Sequence, residues 1–232
     1  MMAAPAVYPV KLALNPIQQI KKGGDHMEMP ATEKDIMRSV AFTGYRPKKL
    51  PFGNDLTDPN AIRLRANLKT EYERLINRGF RQFLTGGALG CDLMAAEVIL
   101  ELKAKYGRKP RIMHVLCMPC FDYTAKWSDQ DKERLEKIKE KSVHFYVSDS
   151  PYYNGCMQKR NRYMVDTSRV LLAVYDGQSG GTRSTVEYAR SRNRKLVIIN
   201  PSQFMRIELI ETTQDIKLML TDDDDDDDGN EE

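Results

Sequence analysis

The chain has 232 residues, 41% of them hydrophobic and 30% charged, which is enough apolar matter for one sizeable core. No apolar run approaches the roughly 20 residues of a membrane span, and four cysteines are too few for a disulfide scaffold and suit a reducing, cytoplasmic setting. The net charge of +3 hides an uneven distribution: residues 222–232 carry −9, residues 201–221 carry −1 and residues 1–35 balance at zero, which leaves +13 on residues 36–200. A body so basic expects an anionic partner, such as a nucleotide or a nucleic acid.

In chain order, residues 1–35 mix Pro, Gly, Gln and Lys without periodicity and read as a flexible leader. Their first residues lack the basic n-region and apolar stretch of a secretory signal, and Met27, Met29 and Met37 stand as alternative start positions. Short apolar runs at 39–43, 81–85, 112–118, 143–147, 170–175 and 196–200 predict six strands, several buried on both faces. Helical periodicity fills the gaps at 59–78, 91–106, 129–141, 157–167 and 182–192, with Gly79 and Gly107 as stops. Strand–helix alternation of this kind predicts a Rossmann-like α/β domain over 36–200: a mainly parallel sheet of about six strands with helices on both faces. Residues 201–221 follow as a C-terminal extension. Seven consecutive Asp at 222–228 repel one another, and 222–232 read as a disordered acidic tail able to compete with anions for the basic body.

Ligands of such sheets bind beyond the carboxyl ends of the strands. Three loops there have the composition of an anion site. Thr43-Gly44-Tyr45-Arg46-Pro47 offers a close-approach glycine and an arginine fork, or else an ordinary Gly turn with a surface Arg. Thr85-Gly86-Gly87-Ala88-Leu89-Gly90-Cys91-Asp92 opens a helix with three glycines, and Asp92 either caps that helix or holds ribose hydroxyls. It matches neither a dinucleotide fingerprint nor a Walker A loop. In 177–185, Gly180, Gly181 and Thr182 give the strongest anion-site signal of the chain, against the alternative of a flexible, hydroxyl-capped loop.

Along 157–168, Met157, Asn161, Met164 and Ser168 share a helical face with Arg160 at its border, so the Arg160/Asn161 pair either reaches the cleft or forms a solvated edge. The Cys117-Met118-Pro119-Cys120 sequence invites zinc or redox chemistry. It lacks a second ligand pair, His114 alternates away from Cys117, and no helix opens directly after it, so no metal is expected. Phe121, Tyr123 and Trp127 follow, either to stack on a base or to plug the loop. His26, His114 and His144 have no triad partners.

Five segments together resemble one known group, the SLOG superfamily and its YpsA-like branch: FTGYRP at 42–47, LTGGALGCDLMAAE at 84–97, MPCFDYTAKW at 118–127, MQKRNRYMVDTSRVLLAVYDG at 157–177 and GGTRSTVEYA at 180–189. The resemblance implies a Rossmann-like sheet that binds nucleotides or nucleotide-derived ligands. Its relatives include Lonely Guy proteins, which release a base from a nucleoside monophosphate, DprA-like single-stranded DNA binders, and sensors of NAD-derived signals. It implies phosphates on the 86–90 and 180–182 loops with Arg46 and Arg160, ribose on Asp92, and a base under Trp127 or Tyr123. The Lonely Guy pattern has a catalytic Glu three residues after Gly-Thr. Here that position is Thr185, and the nearest acid, Glu187, is turned about 200° away along a helix. The expectation is therefore a binding protein, a sensor of NAD- or ADP-ribose-like ligands with no certain cofactor. The alternatives are an N-glycosidase using Arg160 with Glu187 or Asp92, and single-stranded nucleic-acid binding. Homo-oligomers remain open.

Overall fold

A computed structural model describes residues 32–148, 150–203 and 206–209. The expected leader falls outside the described residues up to residue 31, as does the acidic tail at 222–232.

The parallel strands are β1 (Ser39–Gly44), β2 (Gln82–Thr85), β3 (Met113–Met118), β4 (Val143–Tyr146), β5 (Val170–Val174) and β6 (Lys195–Ile199). All five residues of β5 are buried, as expected of a central strand covered on both faces. The six expected strands are therefore present. A seventh, β7 (Arg206–Leu209), pairs antiparallel with β6 inside the segment read as an extension, giving the order β4-β3-β2-β1-β5-β6-β7.

A short helix α1 (Glu33–Met37) precedes β1 and is closed by a capping box between Thr32 and Asp35, so regular structure begins just before the expected boundary at residue 36. In α2 (Pro59–Asn77), Asp58 accepts a hydrogen bond from the Asn60 N–H and Pro59 occupies the first turn. Leu64, Leu68, Tyr72, Leu75 and Ile76 bury one stripe of that helix. Helix α3 (Cys91–Tyr106) is buried along most of its first half, and α4 (Asp129–Glu140) buries only Leu135 and Ile138. These helices cover one face of the sheet, against Phe42, Phe83, Leu116 and Leu172. Helices α5 (Cys156–Asp166) and α6 (Gly181–Ser191) cover the other, against Ala41, Leu84, Cys117, Leu171 and Ala173. None of the helices among the described residues is long and apolar enough to cross a membrane.

From β1 the chain winds outward through β2, β3 and β4, then returns to place β5 on the other side of β1. The winding direction reverses between β1 and β5, and the crevice beyond their carboxyl ends is where such sheets place ligands.

Candidate functional site

A buried ion pair lies over the end of β2. Arg160, on α5, is only 2% exposed, because Cys156, Arg160 and Met164 form the buried stripe of that helix at intervals of four. The sequence places Arg160 at the edge of the apolar face; the fold places it in the middle. Gly86 permits this. A Cβ there would overlap Nη1 and Cζ of Arg160 and stand 2.7 Å from Nη2, so the guanidinium takes the space a side chain would fill.

From the opposite layer, α3 brings Asp92, whose Oδ2 is 3.6 Å from Arg160 Nη1. Asp92 also accepts a hydrogen bond from the Ala88 N–H at 3.3 Å, which ties the Gly86–Gly90 loop to its helix. Burial pushes the Asp92 carboxyl above the ordinary carboxylate range, against the opposing pull of Arg160. Arg160 Nε and Nη1 have no hydrogen-bond partner among the described residues. A buried cation beside a carboxyl whose pKa burial raises, with N–H groups lacking hydrogen-bond partners, has the chemistry to receive an anion.

Arg46, Tyr123 and Trp127 roof this centre. Arg46 is exposed and donates to the Tyr123 hydroxyl at 3.3 Å, and Trp127 meets the Tyr123 ring edge-on at 5.3 Å between centroids. Burial raises the Tyr123 phenol, while Arg46 and Arg160 pull it down. Tyr123 and Trp127 thus use their faces and edges on each other and on Arg46. Gly87 is buried beneath them against Leu116 and Met118.

A second group fills the switch-point crevice. The Tyr45 hydroxyl donates to Asp176 at the end of β5, and Lys49 donates to the Ser179 carbonyl. Thr182 Oγ1 donates to the Gly44 carbonyl at 3.1 Å. Thr43, one residue back on β1, is buried. Lys49 also stands 3.2 Å from where a Gly180 Cβ would be, beside the start of α6, whose first turn has no side-chain cap. Burial and the Asp176 bond push the Tyr45 phenol up to about 12. Burial works to raise Asp176, but the hydrogen bonds from Tyr45 and Gln178 leave it below the ordinary range. Tyr45 joins the two groups, because its carbonyl accepts the Cys91 N–H at 3.1 Å and Gly90, at φ +91°, passes where a side chain would strike that carbonyl.

The remaining expected residues stand apart. Asn161 turns toward α6 and donates to Thr185 Oγ1 at 2.8 Å. With Gly181 and Glu187 it lines a groove between α5 and α6 that includes neither Arg160 nor Asp92. Glu187 pairs with Arg183 at 2.7 Å, both about half exposed. Sequence reasoning singled out neither Asp176 nor Lys49. The signal for Asp176 was its place directly after an apolar strand, where a carboxylate is costly unless used.

Cys120 Sγ lies 3.9 Å from Cys156 Sγ, and all four cysteines are free and buried. His114 bonds Thr85 and Ser142 inside the core, where burial drives it down to about 3. Among the described residues no three His, Cys, Asp or Glu gather as metal ligands.

The model of the YpsA family, described as the YspA SLOG family, matches residues 40–207. The SPbeta prophage-derived protein YoqJ of Bacillus subtilis (strain 168) is 31% identical over 148 residues, covering 58% of this chain and 85% of that protein. A UPF0398 protein of Bacillus pumilus (strain SAFR-032) is 31% identical over 149 residues, covering 63% of this chain and 77% of its own length. Among solved structures, DNA processing protein A from Helicobacter pylori, which binds single-stranded DNA, superposes with a TM-score of 0.50 at 17% identity, covering 81% of this chain and 73% of that one. That likeness shows a shared fold.

Proposed function

The chain belongs to the YpsA SLOG family, and on that premise we propose that it binds a nucleotide or nucleotide-derived ligand through its phosphate groups, as a ligand-responsive binding protein. The observation that carries this reading is Arg160: 2% exposed, laid over Gly86, with Nε and Nη1 lacking hydrogen-bond partners among the described residues. Burying a cation with unused donors is costly, and an anionic oxygen arriving there would offset that cost. Arg46 at the roof and Lys49 beside the start of α6 add positive charge on the same edge of the sheet, and Asp176 would accept from a sugar hydroxyl beside its bonds from Tyr45 and Gln178.

The N-glycosidase reading has less support. Glu187, the acid nearest the catalytic position of the Lonely Guy pattern, lines the α5–α6 groove with Asn161 and is paired to Arg183. Asp92, the other acid weighed for catalysis, is paired with Arg160, which suits binding.

The test is a thermal-shift screen of the full chain against nucleoside mono- and diphosphates, NAD and ADP-ribose, with each hit titrated by calorimetry and the mixture checked for free base. Losing a charge-assisted contact costs about 1.5–3 kcal/mol, so Arg160→Ala should weaken a hit by roughly tenfold to 150-fold, while Glu187→Gln leaves it unchanged. Free base released by the wild type and abolished in Glu187→Gln would overturn the binding reading, as would hits indifferent to Arg160→Ala.

A further inference from the structure

Beside the roofed centre the surface changes character. Phe121 is 52% exposed, Tyr152 59% and Tyr153 38%, and these are three of the five large hydrophobic side chains most open to solvent among the described residues. They come from two separate loops held together by one bond: Asp122 Oδ1 accepts the Tyr152 N–H at 2.6 Å, which sets residues 121–123 against 152–153. The same bond engages the Asp122 carboxylate, the acid nearest the rings in the first loop. Tyr153 continues into a shallow groove along α5 whose lining includes Lys159 and Arg162. The acid in that groove, Asp166, is already held by Arg192 at 2.9 Å and by the Tyr188 hydroxyl.

Exposed rings with a cationic groove beside them, on a body of charge +13, match a chain of phosphates that carries bases with free faces. Duplex DNA hides those faces, and a mononucleotide has one base for three rings. An apolar peptide would use the rings but would gain nothing from Lys159 and Arg162. We infer that Phe121, Tyr152 and Tyr153 form a stacking platform for single-stranded nucleic acid, with the strand's phosphates following Lys159 and Arg162 along α5. The platform is separate from the ligand site over β2 and does not require it to be filled.

Fluorescence anisotropy of the full chain with a labelled single-stranded oligothymidylate, and with a duplex of equal length, tests it. The single strand should bind more tightly than the duplex. Stacking of a base on an aromatic ring corresponds to roughly five- to 150-fold in affinity, so Phe121→Ala, Tyr152→Ala and Tyr153→Ala should each weaken the strand by that order. Lys159→Gln should lower the slope of log affinity against log salt by about 0.7. All four side chains are on the surface, so circular dichroism and Tm should match the wild type. Arg160→Ala separates the two sites: it should weaken nucleotide binding at least tenfold and leave the three ring effects intact. Strand affinity unchanged in all three ring variants, or equal affinity for duplex, would overturn the platform. So would ring variants that alter only self-association in sedimentation.

Discussion

Replacing Gly86 by Ala tests the central contact directly. The backbone at Gly86 lies outside the left-handed region, so the added methyl brings no conformational strain of its own. Its whole cost comes from overlap with Arg160, whose Nη1, Cζ and Nη2 lie within 2.7 Å of the new Cβ. Overpacking of this kind costs about 1–3 kcal/mol, which for a chain of this size lowers Tm by roughly 2–12 °C. In an Arg160→Ala background the obstacle is gone, and the same Gly86→Ala change should cost no more than about 0.5 kcal/mol. Denaturant unfolding of the wild type, both single variants and the double variant measures the coupling, expected at about 1–3 kcal/mol. Calorimetry with a nucleotide hit should show that Gly86→Ala alone weakens binding more than tenfold, because the displaced guanidinium no longer points its donors into the site. Equal costs of Gly86→Ala in both backgrounds would refute the reasoning, since Arg160 would then not be what fills the space over residue 86.

Two further outcomes follow from the ionisable groups. Asp92 has its pKa raised by burial, so its neutral form extends to higher pH than that of an ordinary carboxyl; a ligand of constant negative charge should bind best at acid pH and lose affinity as pH rises through the folded-state value. Asp92→Asn should flatten that profile in calorimetry repeated between about pH 4 and 7, and an unaltered profile would exclude Asp92 as its source. Asp176 is depressed on balance, so its contribution to stability is present above the ordinary carboxylate range and lost as pH falls through its folded value. Tyr45→Phe, which removes its bonding partner, should cost about 1 kcal/mol at neutral pH, allowing for partial solvent access, and less in acid; a urea-melt difference that is the same at both pH values would count against the Tyr45–Asp176 bond.

The alternation of strands and helices was legible because buried parallel strands must be continuous apolar runs and their crossovers must be amphipathic. The run Val170–Val174 and the glycines after α2 and α3 leave little choice. Strand β7 was not legible: its four residues make a short antiparallel edge after a turn, and nothing local separates them from a polar extension. The orientation of α5 was only half legible. Met164 belongs both to the stripe with Met157 and Asn161 and to the stripe with Cys156 and Arg160, and local physics favours keeping an arginine at the border. What reverses that preference is the bare backbone of Gly86 and the carboxyl of Asp92, both from distant segments. In the same way Tyr123 and Trp127 were visible as aromatic residues in a loop, but their engagement with Arg46 and with each other was not.

The Tyr45–Asp176 and Gly44–Thr182 bonds join residues 131 and 138 positions apart in sequence. Closing chain segments of that length carries an entropic cost which only the docking of β5 against β1 repays. During synthesis, a growing chain would therefore hold β1 to β4 and the Asp92 helix well before it had a β1/β5 crevice. Any response to a ligand that needs Lys49, Asp176 and Thr182 together becomes available only after α6 has emerged and can pack.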